Sequence, residues 1–408
     1  MKALTTDHSA EPPRTCLPKS AFRAPIPLAC VCAIACAWVA VGVGADGKEK
    51  EAVDAIEKMG GTVSFRPDGA HVFAHEMDDA GIELLRSLPR LRSLDLSRSR
   101  VTDAGLAKLG PLTHLKVLNL AGTRVSNAGL AQLKDFGSLE ELDLSDTRLT
   151  GAGLAFLRAL HRLRKLDVSD TALTYSDRIE KPAWGRSAVY TSPTTAGLEE
   201  IGKLSDLEEL DLAGTNVKDP QLSHLEGLRK LRRLRLSRNV LPGTALQHLE
   251  GLTNLVELDL NSNWHLGEGL RQLGALTKLE KLDLGGENNR VSDAGLAHLK
   301  GLTRLQWLNL VGNPVSDAGM AHLKPMRQLR ELNLALTRVK DGGLAELKDL
   351  PELEELRLFG LPISDAGLSW LTGMKKLKLL DLQDTRVTRE GIRKLQKALP
   401  DCAIMGDG

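Results

Sequence analysis

Twelve short segments of alternating polarity each place one outward side chain at the same point, and these are the side chains whose chemistry matters. They read Asp95, Asn119, Asp143, Asp167, Asp211, Arg235, Asp259, Asp283, Asn309, Asn333, Arg357 and Asp381. A column of short acids and amides offers hydrogen bonds and charge, which suits recognition of a polar surface. It also suits plain solubility of an exposed sheet. The breaks in the pattern are more telling. Arg232, Arg233, Arg235 and Arg238 cluster where other segments carry Glu and Asp, and Trp307, Leu336, Phe359 and Leu379 take outward positions further along. Arginine and large aromatics are enriched where interfaces concentrate their binding energy. A further candidate is the stretch Tyr175–Thr195, which holds both tyrosines, Tyr175 and Tyr190, together with Trp184, Pro182 and Pro193. Long loops of this kind are usually functional or disordered.

Catalytic chemistry has no comparable signature. There is no serine nucleophile motif, phosphate loop or paired set of catalytic carboxylates. His71 and His75 lie close in sequence without a third ligand, so neither a metal nor another cofactor is expected. His224, His248, His298 and His322 share one helix position and read as decoration of an outer face.

These residues are positioned by a hexad, L-x-x-L-x-L. It begins at Leu91, Leu115, Leu139, Leu163, Leu207, Leu231, Leu255, Leu279, Leu305, Leu329, Leu353 and Leu377. All intervals but two are 24 residues; one is 26, after Leu279, and one is 44, after Leu163. A fixed period of this length with this leucine spacing predicts a leucine-rich-repeat solenoid. In the first unit Leu94-Asp95-Leu96 predicts a strand with both leucines inward. Thr102 is placed to cap a short helix, and Asp103 sits where the helix dipole favours an anion. Strands stack about 4.8 Å apart, whereas helices need about 8–10 Å. That mismatch bends the stack into a horseshoe, an α/β fold with a parallel sheet on the concave face and short helices on the convex one.

Smaller columns repeat with the same period. Glycine recurs at Gly105, Gly129, Gly153, Gly295, Gly319 and Gly367, where stacked turns are expected to approach closely. Thr or Asn follows most strands, from Thr123 to Thr385, and reads as structural. Arginines at 100, 124, 148, 290, 338 and 386 form another column. Pairing with aspartates of adjacent units is the expected role, and recognition of an acidic partner is the other role open to it.

The motif L-x-x-L-D-L-x-x-T-x-V-T-D-A-G-L-A-x-L, nearly complete at Leu139–Ala155 and Leu305–Ala321, resembles the ribonuclease-inhibitor-like superfamily of leucine-rich repeats. Within it the chain is most similar to exported repeat proteins of environmental bacteria. The resemblance implies binding of a protein partner through the concave face, and no chemistry. The same repeat style resembles the substrate-binding part of F-box adaptors, although no F-box-like segment precedes it here.

The organisation follows. Residues 1–45 read as a signal peptide cleaved after Ala45 or as a membrane anchor, because Ala24–Ala45 carries no charge. Residues 46–69 read as an N-terminal cap, 70–400 as the solenoid interrupted at 175–195, and 401–408 as a closing strand. Either reading of the leader exports the repeats, and the membrane is reached only through that segment. Net charge is +1, which gives no pull toward nucleic acid. Aromatics are only 3%, so a carbohydrate or cell-wall binding role would rest on Trp184, Trp307 and the tyrosines as stacking platforms. The expected partner is a protein. It is expected to meet Tyr175, Trp184, Tyr190, Arg233, Arg235 and Arg238, with Trp307, Phe359 and Arg357 as the second patch.

Overall fold

The computed structural model describes residues 47–174 and 195–407, and between them the backbone of 178–179 and 189–190. Met1–Gly47 separates as its own unit and lies almost wholly outside the described residues. The reading of the leader as signal or anchor falls there. Among the described residues no helix is long and apolar enough to cross a membrane.

Lys48–Gly408 is built on one sheet of 15 strands laid down almost in sequence order. The first strand, Thr62–Arg66, pairs antiparallel with Gly69–Phe73. From Gly69–Phe73 to Leu379–Asp381 thirteen strands follow in parallel, one for each hexad plus the degenerate unit at Ala70–Val72. Ala403–Met405 adds a last parallel strand. After one shift at Ala70/His71 the register holds: Leu118, Leu142 and Leu166 face one another across neighbours, and so on along the array. The leucines of the hexads and of the outer helices form one continuous buried core. Its first end is covered by the helix Gly47–Lys58, which buries Ala52, Val53 and Ile56. Its last is covered by the helix Arg389–Ala398.

The outer segments are shorter and tighter than ordinary helices. Several are wholly 3-10, such as Gly151–Ala159, Gly243–Leu249 and Leu266–Ala275. With about 24 residues per unit, the outer segment has room for about one to three helical turns.

Thr102 caps its own helix by accepting from the backbone N–H of Ala104. Asp103 does something the single repeat does not suggest. Its carboxylate reaches the next unit, accepting from the N–H of Ser126 at 2.7 Å and from its hydroxyl. The same bridge runs from Asp79 to Thr102, Asp293 to Ser316, Asp341 to Ser364 and Asp365 to Thr388. This explains most of the glycine column. A Cβ at Gly105, Gly129, Gly319, Gly367 or Gly391 would overlap the bridging aspartate of the preceding unit. The close approach is therefore side chain to backbone, not backbone to backbone as the sequence suggests. In the middle of the array the second kind does occur: a Cβ on Gly269 would overlap the backbone of Gly243.

Candidate functional site

The outward face of the sheet carries two side-chain columns. In the column that holds the aspartates, ten of the twelve residues use Oδ1 to accept the N–H of the residue two places on, as in Asp95 to Ser97 at 2.8 Å and Asn333 to Ala335 at 3.0 Å. Asp and Asn are short enough to do this and Glu and Gln are not, and Glu and Gln never appear there. The column is thus first a device that satisfies the end of each strand. Arg235 and Arg357 are the two positions that give it up.

The neighbouring column reads Glu141, Lys165, Glu209, Arg233, Glu257, Lys281 on consecutive strands. Each of Lys165 and Arg233 stands between two carboxylates. Lys165 lies 3.2 Å from Glu141 and 3.6 Å from Glu209, and Arg233 binds Glu209 and lies 3.4 Å from Glu257. Lys281 closes the ladder on Glu257 at 3.6 Å. Cross-strand opposite charges stabilise a sheet modestly. Trp307 then stands where the alternation calls for an acid. Beyond it Glu331 and Glu355 are adjacent like charges. Burial first, and then Glu355, raise the Glu331 carboxyl above its ordinary range.

Of the arginine cluster of repeat six, Arg233, Arg235 and Arg238 are thus internally committed. Arg235 pairs with Asp211 at 3.2 Å. Arg238 grips Asp170 with both guanidinium nitrogens at 2.8 Å, passing over Gly214, where a Cβ would overlap Asp170. This clip joins repeats four and six just before the insertion departs at Thr174. Arg233, Arg235, Asp143, Asp167, Asp211 and Lys165 line a cavity of about 250 Å³ on this face. Its surface is of mixed charge, not uniformly basic. The packed carboxylates have a further consequence: burial, and then Asp211 and Asp143, push Asp167 up to about 7, and burial, and then Asp259, push Asp283 up to about 7.

Tyr175 and Trp184 lie outside the described residues. Tyr190 is placed by its backbone only, in a short strand Val189–Tyr190 that pairs antiparallel with Arg178–Ile179. Trp307 stands three strands beyond Arg233, and Arg357 two strands beyond Trp307. Phe359 follows Arg357 in the turn and is 37% exposed, beside Leu336 at 48%. Arg357 bonds its own neighbour Glu355 at 2.8 Å. The described candidates thus fall into two groups: Arg233, Arg235 and Arg238 in one, Trp307, Arg357 and Phe359 in the other. Sequence reasoning missed the alternating ladder and the Asp170–Arg238 clip. The ladder is legible once the hexads are aligned; the clip is hidden by the insertion between its partners.

The arginine column behaves differently from expectation. Arg100, Arg124, Arg290, Arg338 and Arg386 are exposed and, among the described residues, make no ion pair with an aspartate. The bridging aspartates are already occupied by the capping hydroxyls and N–H groups of the next unit. No group of three or more residues able to hold a metal occurs among the described residues.

A family model described as a leucine-rich repeat region matches residues 193–402, and a leucine-rich-repeat model matches 88–110, 112–133 and 138–157. The chain belongs to the leucine-rich-repeat family. Among solved structures it is similar to a leucine-rich-repeat protein of Leptospira interrogans, with 19% identity and a TM-score of 0.55, over 80% of this chain and 87% of that one. It is also similar to an internalin (inlF) of Listeria monocytogenes, with 20% identity and a TM-score of 0.51, over 80% of this chain and 76% of the other. These likenesses concern the fold. No curated protein matches the sequence.

Proposed function

We propose that the chain is an exported, non-enzymatic scaffold that binds a protein partner through the concave face and the insertion at 175–195. One observation carries this reading. The inner face satisfies its own hydrogen bonds and charges strand after strand, and departs from that pattern at Arg235, Trp307 and Arg357. These departures put Arg and Trp, residue types enriched where interfaces concentrate their binding energy, on an otherwise repetitive face. The partner surface that fits is of mixed polarity, because Arg233, Arg235 and Arg238 arrive with carboxylates beside them. Tyr175, Trp184 and Tyr190 complete the first patch, and Phe359 joins Trp307 and Arg357 in the second. Export rests on the uncharged run Ala24–Ala45, and cleavage after it would leave a mature chain beginning at Asp46.

The test is affinity capture from the envelope of the producing organism with three baits: the intact chain, one lacking Tyr175–Thr195, and one carrying Arg235→Ala with Trp307→Ala. A protein retained by the first and weakened at least tenfold on both others is the expected result. Equal retention on all three removes the concave face from consideration.

A further inference from the structure

On the rim of the sheet, one position per unit, exposed where it is Arg and half-buried where it is Pro, lies just before the inward Val or Ile that returns the chain to the core. Over the last five such positions it reads Arg290, Pro314, Arg338, Pro362, Arg386. The turns are held in step by backbone bonds, Arg338 N–H to Val315 C=O at 2.8 Å and Arg386 N–H to Ile363 C=O at 2.9 Å. Arginines thus recur every second unit, about 9.6 Å apart at sheet spacing. Each is exposed, and none has a side-chain hydrogen bond or ion pair among the described residues. This sets them apart from the inner-face cations, most of which are neutralised.

A groove of about 750 Å³ opens between the first two, walled by Arg290 and Arg338 and floored by Gly312, Pro314 and Leu336. Glu287 is the carboxylate in its lining. Leu336 is an anomaly. Its φ of 56° puts it in the left-handed region, as at this register in the other units, but those carry Gly122, Gly214, Gly286, Gly312 and Gly360 or the polar Arg98, Asp146, Asp170, Arg238, Ser262 and Asp384, and Leu336 is the one aliphatic side chain among them. Leucine there costs about 1–2 kcal/mol. Yet the side chain is 48% exposed, and it lies over Gly360, where a Cβ would meet Leu336 Cδ2 at 2.6 Å. The strain returns no core packing. An apolar, strained, exposed side chain between unpaired cations has the make-up of a binding anchor.

We propose that the rim strip Arg290–Pro314–Arg338–Pro362–Arg386, with Leu336, docks an extended acidic protein segment in the polyproline II conformation. The spacing selects the occupant. In that helix every third residue returns to the same face after about 9.3 Å, in step with the arginines. Carboxylates three apart would each meet one guanidinium. In a β-strand, residues on one face fall about 6.8 Å and 13.6 Å apart, out of step. The strip is separate from the concave face and stands or falls independently of it.

The test uses the chain from Asp46 onward and a fluorescent peptide with Glu at every third position of a proline-rich background and one Leu between two of them. Its control has the same composition with the Glu residues contiguous. Anisotropy titration is expected to show the spaced peptide binding at least tenfold tighter than the control. Affinity should fall with salt and drop at least tenfold in the Arg290→Ala, Arg338→Ala, Arg386→Ala triple variant. Leu336→Gly supplies a second readout: it should raise the melting temperature while weakening the spaced peptide several-fold. Equal binding of the two peptides overturns the proposal. So does binding untouched by the triple variant, or a sulfated polysaccharide or single-stranded DNA that binds the strip as tightly as the peptide.

Discussion

The turns before repeat six and the turns from repeat six to repeat nine solve one problem with different side chains. In the earlier stretch Thr123, Thr147, Thr171 and Thr215 each donate a hydroxyl to the carbonyl three residues back, at 2.5–2.7 Å. Each bond stays inside its own unit. In the middle stretch Asn239, Asn263, Asn289 and Asn313 stand in that register. Asn263 donates to Leu260 C=O in its own turn and to Leu236 C=O in the preceding one, both at 3.0 Å, and accepts the N–H of Leu241. Asparagine therefore stitches two units where threonine closes one. The middle also packs Gly243 against Gly269 backbone to backbone, whereas Gly105, Gly129, Gly367 and Gly391 in the flanks each face a bridging aspartate. A solenoid is held by its nearest-neighbour interfaces, so the same register can be loose or cross-linked by a single residue choice.

The widest separation should come from the buried spine. Asn263→Ala strands acceptors and a donor in two units and should cost about 3–4 kcal/mol, whereas Thr147→Ala removes one intra-unit bond and should cost about 1 kcal/mol. Urea unfolding of both variants measures the difference; equal losses would mean the asparagine stitches add nothing beyond the threonine turns.

The glycines come next. Gly269→Ala drives a Cβ into the backbone of Gly243 and should destabilise by about 3 kcal/mol. Gly129→Ala meets side chains alone, Asp103 first, which can swing away with loss of its bridge to Ser126, a cost of about 1 kcal/mol. Melting temperatures in the opposite order would break the distinction between middle and flank.

The smallest effect is electrostatic and has opposite sign at a concave-face aspartate and at a bridging one. Asp167, raised to about 7 by burial and by Asp211 and Asp143, stabilises fully only below its unfolded value of 3.8, and that contribution is lost as pH climbs towards 7. Asp365, held low by the N–H and hydroxyl of Thr388, contributes above the ordinary carboxylate range and loses that contribution as pH falls. Asn already occupies the Asp167 register at Asn119, Asn309 and Asn333 and makes the same bond. Asp167→Asn should therefore match the parent near pH 4 and melt about 2–4 °C higher at pH 8. A gain confined to low pH would contradict the assignment.

The hexad and its period were enough to place thirteen strands and the inward leucines, because burial of every second residue leaves little freedom in register. What one repeat cannot reveal is a bond to the next. Asp103 looks like a dipole-favoured anion on its own helix, yet it binds Ser126. The arginine column looked ready to pair with such aspartates, whose oxygens are already taken. Arg233 looked like a free cation until its strand neighbours Glu209 and Glu257 were set beside it. Arg238 and Asp170 are far apart in sequence, and the insertion breaks the count that would align them. Trp307, Arg357 and Phe359 were legible as departures from a pattern, which is all a sequence can say of them.

Hydrogen exchange of the chain with and without its captured partner tests the binding reading most directly. Slowed exchange is expected in the strands Arg233–Arg235 and Trp307–Asn309, in the turn after Arg357, and in the insertion, with the outer helices unchanged. Protection confined to the convex segments, such as Gly243–Leu249 and Leu266–Ala275, would contradict a concave-face scaffold.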